Sequence, residues 1–276
     1  MQETLKCVQE ISLDILKVID NICREEGVSY SIAYGTMLGA IRHKGFIPWD
    51  DDIDLMMTPE EYERFLVICE VRLPKNLKIV YCGNNPNYPL NFAKVVDINT
   101  KFVETDYEGL QYPQGVSVDI FPIYKIRNKT SIIKRMIFKN KVNGLLRMSY
   151  TGRAANRYKG LKKITIKFAC FFAHFIGLKG LNDRIIKRML KEHKKGGDRF
   201  LIEYDSATTA PYSLFDNYAE YYFENMYVFG FVDYDEYLKD TFGDYMKLPP
   251  LEERVSHIDR TAIIDLNKSN QEKTKC

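Results

Sequence analysis

No two of the six cysteines are spaced for a shared task. Cys7, Cys23, Cys69, Cys82, Cys170 and Cys276 are scattered over 276 residues, with no Cys-x-x-Cys pair and no zinc-type spacing. This argues against a disulfide framework and a structural zinc, and favours reduced thiols in a cytoplasmic protein. The opening Met1-Gln-Glu-Thr-Leu-Lys6 has neither the basic n-region nor the apolar h-region of a secretory signal. No uninterrupted apolar run reaches the roughly 18–20 residues a spanning helix needs. There is no internal repeat, and Trp49 is the only tryptophan. What is present is an ordinary globular composition, 45% apolar, on a chain long enough for one large domain or a domain with an appendage.

The net charge of +3 hides an asymmetry. Residues 125–199 hold 22 Lys and Arg against three Asp and Glu, leaving 18 basic against 34 acidic residues elsewhere. Such a split predicts a middle region that meets an anionic surface or polymer. The aromatics there (Phe168, Phe171, Phe172, Phe175) do not alternate with basic residues as on a stacking platform, so no nucleic acid is expected. On a helix, residues 161–178 give a narrow polar stripe (Lys163, Lys167, Cys170, His174) and an apolar remainder. That segment is too short to span a bilayer. It suits an interfacial helix with lysines on anionic headgroups, or a helix packed on the core with a solvated basic face.

Apolar periodicity predicts a helix over 4–26, stopped at Gly27, and a strand over Ser29–Tyr34 leading into a short helix, Met37–Arg42. A strand over Ile53–Met57 follows. Thr58-Pro59-Glu60-Glu61 is then a helix start, with an N-cap, a proline at the first position and acids in the first turn. Strands are predicted at 77–82, 90–96, 101–104 and 116–121, and helices at about 130–147, 161–176 and 181–195. A mixed sheet followed by basic helices gives an α+β class. The expected organisation is a catalytic core over 1–125, a basic helical insertion over 126–200, a C-terminal segment over 201–265 completing the catalytic domain, and a flexible tail over 266–276.

The chemistry is concentrated in Pro48-Trp-Asp-Asp-Asp-Ile-Asp54, four carboxylates in five positions. Like charges at this density repel, and hard oxygen ligands suit Mg²⁺ or Mn²⁺. Asp52 and Asp54, two apart at the start of a strand, fall on one face. Asp119, a lone acid in the apolar Val-Ser-Val-Asp-Ile-Phe, is the candidate third ligand, because an unpaired charge there is costly. The alternative is a solvated turn at 50–54, with Asp119 paired to a buried lysine or arginine. Gly35-Thr36, between strand and helix, lets backbone N–H groups approach a phosphate. Together these elements have the layout of a nucleotidyltransferase-like mixed sheet.

The run Gly35-Thr-Met-Leu-Gly-Ala-Ile-Arg-His-Lys-Gly-Phe-Ile-Pro-Trp-Asp-Asp-Asp-Ile-Asp54 resembles the signature of the LicD family, which includes phosphocholine transferases and is related to the fukutin-related proteins. Lys94-Val-Val-Asp-Ile-Asn-Thr100, Val118-Asp-Ile-Phe-Pro122 and the segment Tyr237–Pro250, followed by Arg254 and His257, resemble three further family blocks in the same order. The resemblance covers roughly 25–125 and 230–257. It implies transfer of phosphocholine, or a related phospho-alcohol, from a CDP-alcohol to a sugar hydroxyl, with release of CMP. CDP-choline is the first expected donor, then CDP-ribitol or CDP-glycerol. The implied acceptor is a lipid-linked cell-surface glycan precursor such as teichoic acid, capsule or lipopolysaccharide, and the basic residues 125–199 would dock the enzyme peripherally on the inner face of the cell membrane. Asp52, Asp54 and Asp119 would hold Mg²⁺, and Asp119 would take the acceptor proton. Gly35 and Thr36 would touch donor phosphate, and Lys94 would neutralise its charge, with Arg42 and Lys44 either joining it or standing solvated in the loop. Trp49 would stack on cytosine, face a quaternary ammonium or anchor its loop. Tyr218, Tyr221, Tyr222 and Tyr227 would line a choline or sugar site or serve as ordinary packing residues. Arg254 and His257 would contact phosphate or acceptor, or form a structural pair. A nucleotidyltransferase releasing pyrophosphate and a non-catalytic binding member are the rival readings.

Overall fold

The computed structural model describes residues 2–150, 160–203, 207–256, 258 and 261–266. The first element, α1 (Gln2–Glu26), buries Val8, Ile11, Ile15, Leu16 and Ile19 along one stripe and ends where Gly27 takes φ +62°. The strand β1 (Ser31–Ile32) is shorter than expected, and the helix α2 (Tyr34–Arg42) starts three residues earlier than expected. Then come β2 (Asp54–Met57) and α3 (Pro59–Arg72), whose N-cap Thr58 accepts from Glu61 N with Pro59 behind it. The sequence-predicted start of that helix is thus the observed one, a cap that contributes about 1 kcal/mol.

Four more strands follow: β3 (Leu77–Val80), β4 (Ala93–Asp97), β5 (Lys101–Glu104) and β6 (Ser117–Pro122). Five strands form one mixed sheet in the order β1-β2-β6-β4-β3, parallel between β2 and β6 and antiparallel elsewhere. Helices with a mixed sheet make the chain α+β. Near-continuous apolar burial in β2 and β6 reflects cover on both sides, and α1 and α3 pack on this sheet.

The basic helices are α4 (Thr130–Tyr150) and α5 (Gly160–His193), which pack on each other. Gly177, at φ +75° and ψ +155°, breaks α5 into the two helices the sequence predicts. Ile166 and Ala173 are buried on α5, and the Cys170 thiol lies 2.7 Å from Ser149 O, so Cys170 belongs to the helix contact and not to a solvated polar stripe. Phe168, Phe171, Phe172 and Phe175 point outward. Ile164–His193 is long and apolar enough, by length and composition, to cross a membrane. A search for uninterrupted apolar runs misses it because Lys167 and His174 lie inside.

The remaining elements are β7 (Arg199–Leu201), β8 (Thr209–Pro211), the hairpin β9 (Tyr218–Phe223) and β10 (Met226–Phe231), α6 (Tyr234–Phe242) and β11 (Thr261–Asp265), which pairs with β5. Tyr237 and Leu238 of α6 are fully buried in the main core. Lys163 and Cys276, like the expected tail after residue 266, fall outside the described side chains.

Candidate active site

The parallel register of β2 and β6 sets Asp54 directly opposite Asp119, and the antiparallel register of β6 and β4 sets Asp119 opposite Lys94. Residues opposite one another share a sheet face, so the three form one row across the middle of the sheet. Lys94 Nζ donates to both Asp119 oxygens, at 2.9 and 3.0 Å; Asp119 is buried and Lys94 is partly buried, its side chain 16% exposed. Asp52 lies two residues before β2 in irregular chain, so strand alternation does not govern it. It is nevertheless close enough to act on both carboxyls of the row.

Burial pushes the Asp54 carboxyl well above the usual range, and Asp52, Asp119 and Asp50 add to the shift against the pull of Lys94. Burial likewise lifts Asp119 to about 6, although Lys94 pulls it down. Lys94, despite burial, is held above its ordinary value by Asp119 and Glu104. Several carboxylates forced together at a loss of charge are a site that a divalent cation would relieve. Among the described residues, no three Asp, Glu, His or Cys side chains converge into a ready metal cage. Mg²⁺ needs no such cage, since it is commonly held by one or two carboxylates plus substrate phosphates and water. The hard oxygen donors of Asp52, Asp54 and Asp119 fit that mode.

The Gly35 turn has a steric cause. A Cβ at Gly35 would lie 2.3 Å from Asp50 Oδ2, so the Asp50 carboxylate sits against the start of α2. The nearest anion at this helix start is therefore the protein's own. Thr36 is buried, and its Oγ1 accepts from Asp54 N at 2.9 Å, tying α2 to the strand that carries the acid.

A second cluster joins residues distant in sequence. The Arg254 guanidinium lies 5.1 Å over the Trp49 ring, and His43 meets the same ring edge-on. Arg42 donates to Tyr245 O at 2.6 Å. Burial lowers its guanidinium, and Arg254 adds to that. The two guanidiniums are thus near enough to repel each other. Lys44 is exposed in a turn at φ +63°, its carbonyl accepting from Glu224 N. His257 lies outside the described residues. Of the four tail tyrosines, Tyr222 and Tyr227 meet edge-to-face at the surface of the β9–β10 hairpin, and Tyr221 donates to Phe231 O.

A cavity of about 690 Å³ opens beside the acid row, with Asp51, Asp52, Lys94 and Asp119 in its wall. That volume suits a nucleotide-sized ligand. Sequence reasoning missed the rest of its lining, which includes Phe92, Phe102, Tyr107, Tyr112 and Glu104. The available signal was Glu104-Thr-Asp-Tyr107, two acids and an aromatic at the end of a strand.

Residues 27–151 match the LicD/FKTN/FKRP nucleotidyltransferase domain. The chain is also 30% identical over 262 residues to the lipopolysaccharide cholinephosphotransferase LicD of Haemophilus influenzae, covering 92% of this chain and 96% of that protein. The chain belongs to the LicD family. A second relative, an uncharacterised protein of Rickettsia typhi, is 31% identical over 121 residues, covering 41% of this chain and 38% of its own. The LicD-family domain contains the whole Asp54–Asp119–Lys94 row, whereas Arg254 lies outside it.

Proposed function

We propose that this protein transfers phosphocholine from CDP-choline to a sugar hydroxyl of a cell-surface glycan precursor, releasing CMP. The observation that carries the reading is the row of Asp54, Asp119 and Lys94 beside a nucleotide-sized cavity, in a chain of the LicD family. The Haemophilus relative's description as a lipopolysaccharide cholinephosphotransferase supports the choline group and the glycan acceptor.

The acceptor oxygen attacks the choline-bearing phosphorus, and the bond to the CMP phosphate breaks with its electron pair on CMP. Asp119 accepts the hydroxyl proton, a role suited to a carboxyl held near 6 and oriented by Lys94. Magnesium held by Asp52, Asp54 and Asp119 would neutralise the pyrophosphate and the departing CMP. Arg42 and Arg254 bind donor phosphate while Trp49 stacks on the base; Gly35 and Thr36 shape the turn that positions Asp54. The exposed phenylalanines of α5, beside the lysines of the basic region, support peripheral docking on an anionic inner membrane face.

The test is product analysis with purified protein. CDP-choline, Mg²⁺ and a glycan acceptor should yield CMP, and Asp54→Asn should cut the rate at least about a hundredfold. Pyrophosphate released from CTP would instead indicate nucleotidyl transfer.

A further inference from the structure

The reaction so far leaves one part of the cavity without a role. Beyond Asp119 and Lys94, its wall is aromatic and acidic, with Phe92, Tyr107, Tyr112 and Glu104. We infer that this part of the cavity is the choline subsite, with Tyr107, Tyr112 and Phe92 forming an aromatic wall for the quaternary ammonium and Glu104 supplying the opposing charge. The inference rests on the donor reading above and assigns one end of that donor.

The wall is built, not incidental. Tyr107 N donates to Glu104 O, Leu110 N to Tyr107 O, and Gln114 Nε2 to the carbonyls of both Tyr107 and Leu110, which folds the chain after β5 back on itself. Tyr112 meets the fully buried Tyr88 edge-on, with ring centroids 5.2 Å apart. Behind them, Arg147 of α4 donates to Pro89 O and Asn91 Oδ1, and Asn182 of α5 donates to Tyr88 O. The basic helices thereby hold the segment that carries Phe92.

Charge decides which end of the donor belongs here. Among the described residues that line the cavity, Lys94 is the one cationic side chain, and Asp119 already pairs with it. Glu104 lies close enough to act on Lys94, Asp119 and Tyr107 together. Phosphates and the CMP half are anionic and are drawn to the Arg42–Arg254–Trp49 cluster. A net negative cavity with aromatic walls favours a fixed cation, because ring faces attract ammonium groups and a quaternary ammonium has little hydration to lose. The tail tyrosines, by contrast, do not line this cavity.

The experiment measures affinities for CDP-choline, CDP-glycerol and CMP by calorimetry with Mg²⁺ present. It compares wild type with Tyr107→Leu, Tyr107→Phe and Glu104→Gln. Tyr107→Leu and Glu104→Gln should each weaken CDP-choline about tenfold, while Tyr107→Phe, which keeps the ring face, stays within about twofold. CMP and CDP-glycerol should bind all four proteins alike. Equal weakening of CMP would assign the aromatics to cytosine and overturn the subsite. Unchanged CDP-choline binding in every variant would overturn it while leaving the donor reading intact. A wild type that binds CMP but gains nothing from the choline group would overturn both.

Discussion

Asp54 concentrates the conflict between stability and chemistry. Its carboxyl is buried beside Asp52, Asp119 and Asp50, and its raised pKa means that the charged form is disfavoured in the folded protein. Above the ordinary carboxylate range that charge therefore costs stability, and replacing it should recover some. We expect Asp54→Asn to melt about 2–4 °C higher than wild type without metal at neutral pH, in scans that also follow Mg²⁺. Mg²⁺ should raise the wild-type midpoint and leave the variant's nearly unmoved. A variant that melts lower would make the acid structural. The sequence showed these acids because charge density and an isolated acid among apolar residues are local signals. It did not show that Asp54 and Asp119 are register partners, since that depends on which strand lies beside which. Nor could it choose between metal and lysine for Asp119. The structure pairs it with Lys94, and a metal would have to share it.

Elements were legible in proportion to how local their causes are. Thr58-Pro59 starts α3, Gly27 ends α1, and Gly177 divides α5, each through the chain's own capping or backbone preference. The β9–β10 hairpin is not legible, because its aromatic residues are part-buried on both faces and give no clean alternation, and α6 and β11 are too short to show a period. Yet α6 packs against α2 within the main core. Tyr237 is fully buried, and its hydroxyl accepts from Tyr34 N at 2.9 Å, where Tyr34 starts α2 at φ +43°. A hydroxyl on one helix thus satisfies the first N–H of another, more than 200 residues away in sequence. Tyr237→Phe removes that acceptor without opening a cavity, at a cost of about 1–2 kcal/mol. The thermal midpoint should fall by about 3–6 °C. CDP-choline turnover should fall as well if the entry of α2 sets the position of Asp54. An unchanged midpoint would mean that water replaces the hydroxyl.

At the scale of the whole molecule, the dominant feature is the separation of charge between a basic middle and an acidic remainder. The middle does not stand apart as a second folding unit by its contacts, because Arg147 and Asn182 reach the cavity's own supporting segment. Its outer side carries Phe168, Phe171, Phe172 and Phe175, the last 85% exposed, with Phe138 and Leu145 on α4. These two features predict two separable contributions to membrane binding. The electrostatic part should be screened, since the Debye length falls from about 10 Å at 0.1 M salt to about 3 Å at 1 M. The apolar part should persist, because each buried phenylalanine contributes about 1.5–3 kcal/mol whatever the salt. In co-sedimentation with anionic vesicles, binding should drop at least about tenfold from 0.1 to 0.5 M NaCl and then level off. Phe171→Ser combined with Phe175→Ser should remove the residual plateau and leave turnover of a soluble acceptor unchanged. Binding that is insensitive to both salt and the double substitution would mean that the middle region faces something other than lipid. Its phenylalanines would then await a protein partner.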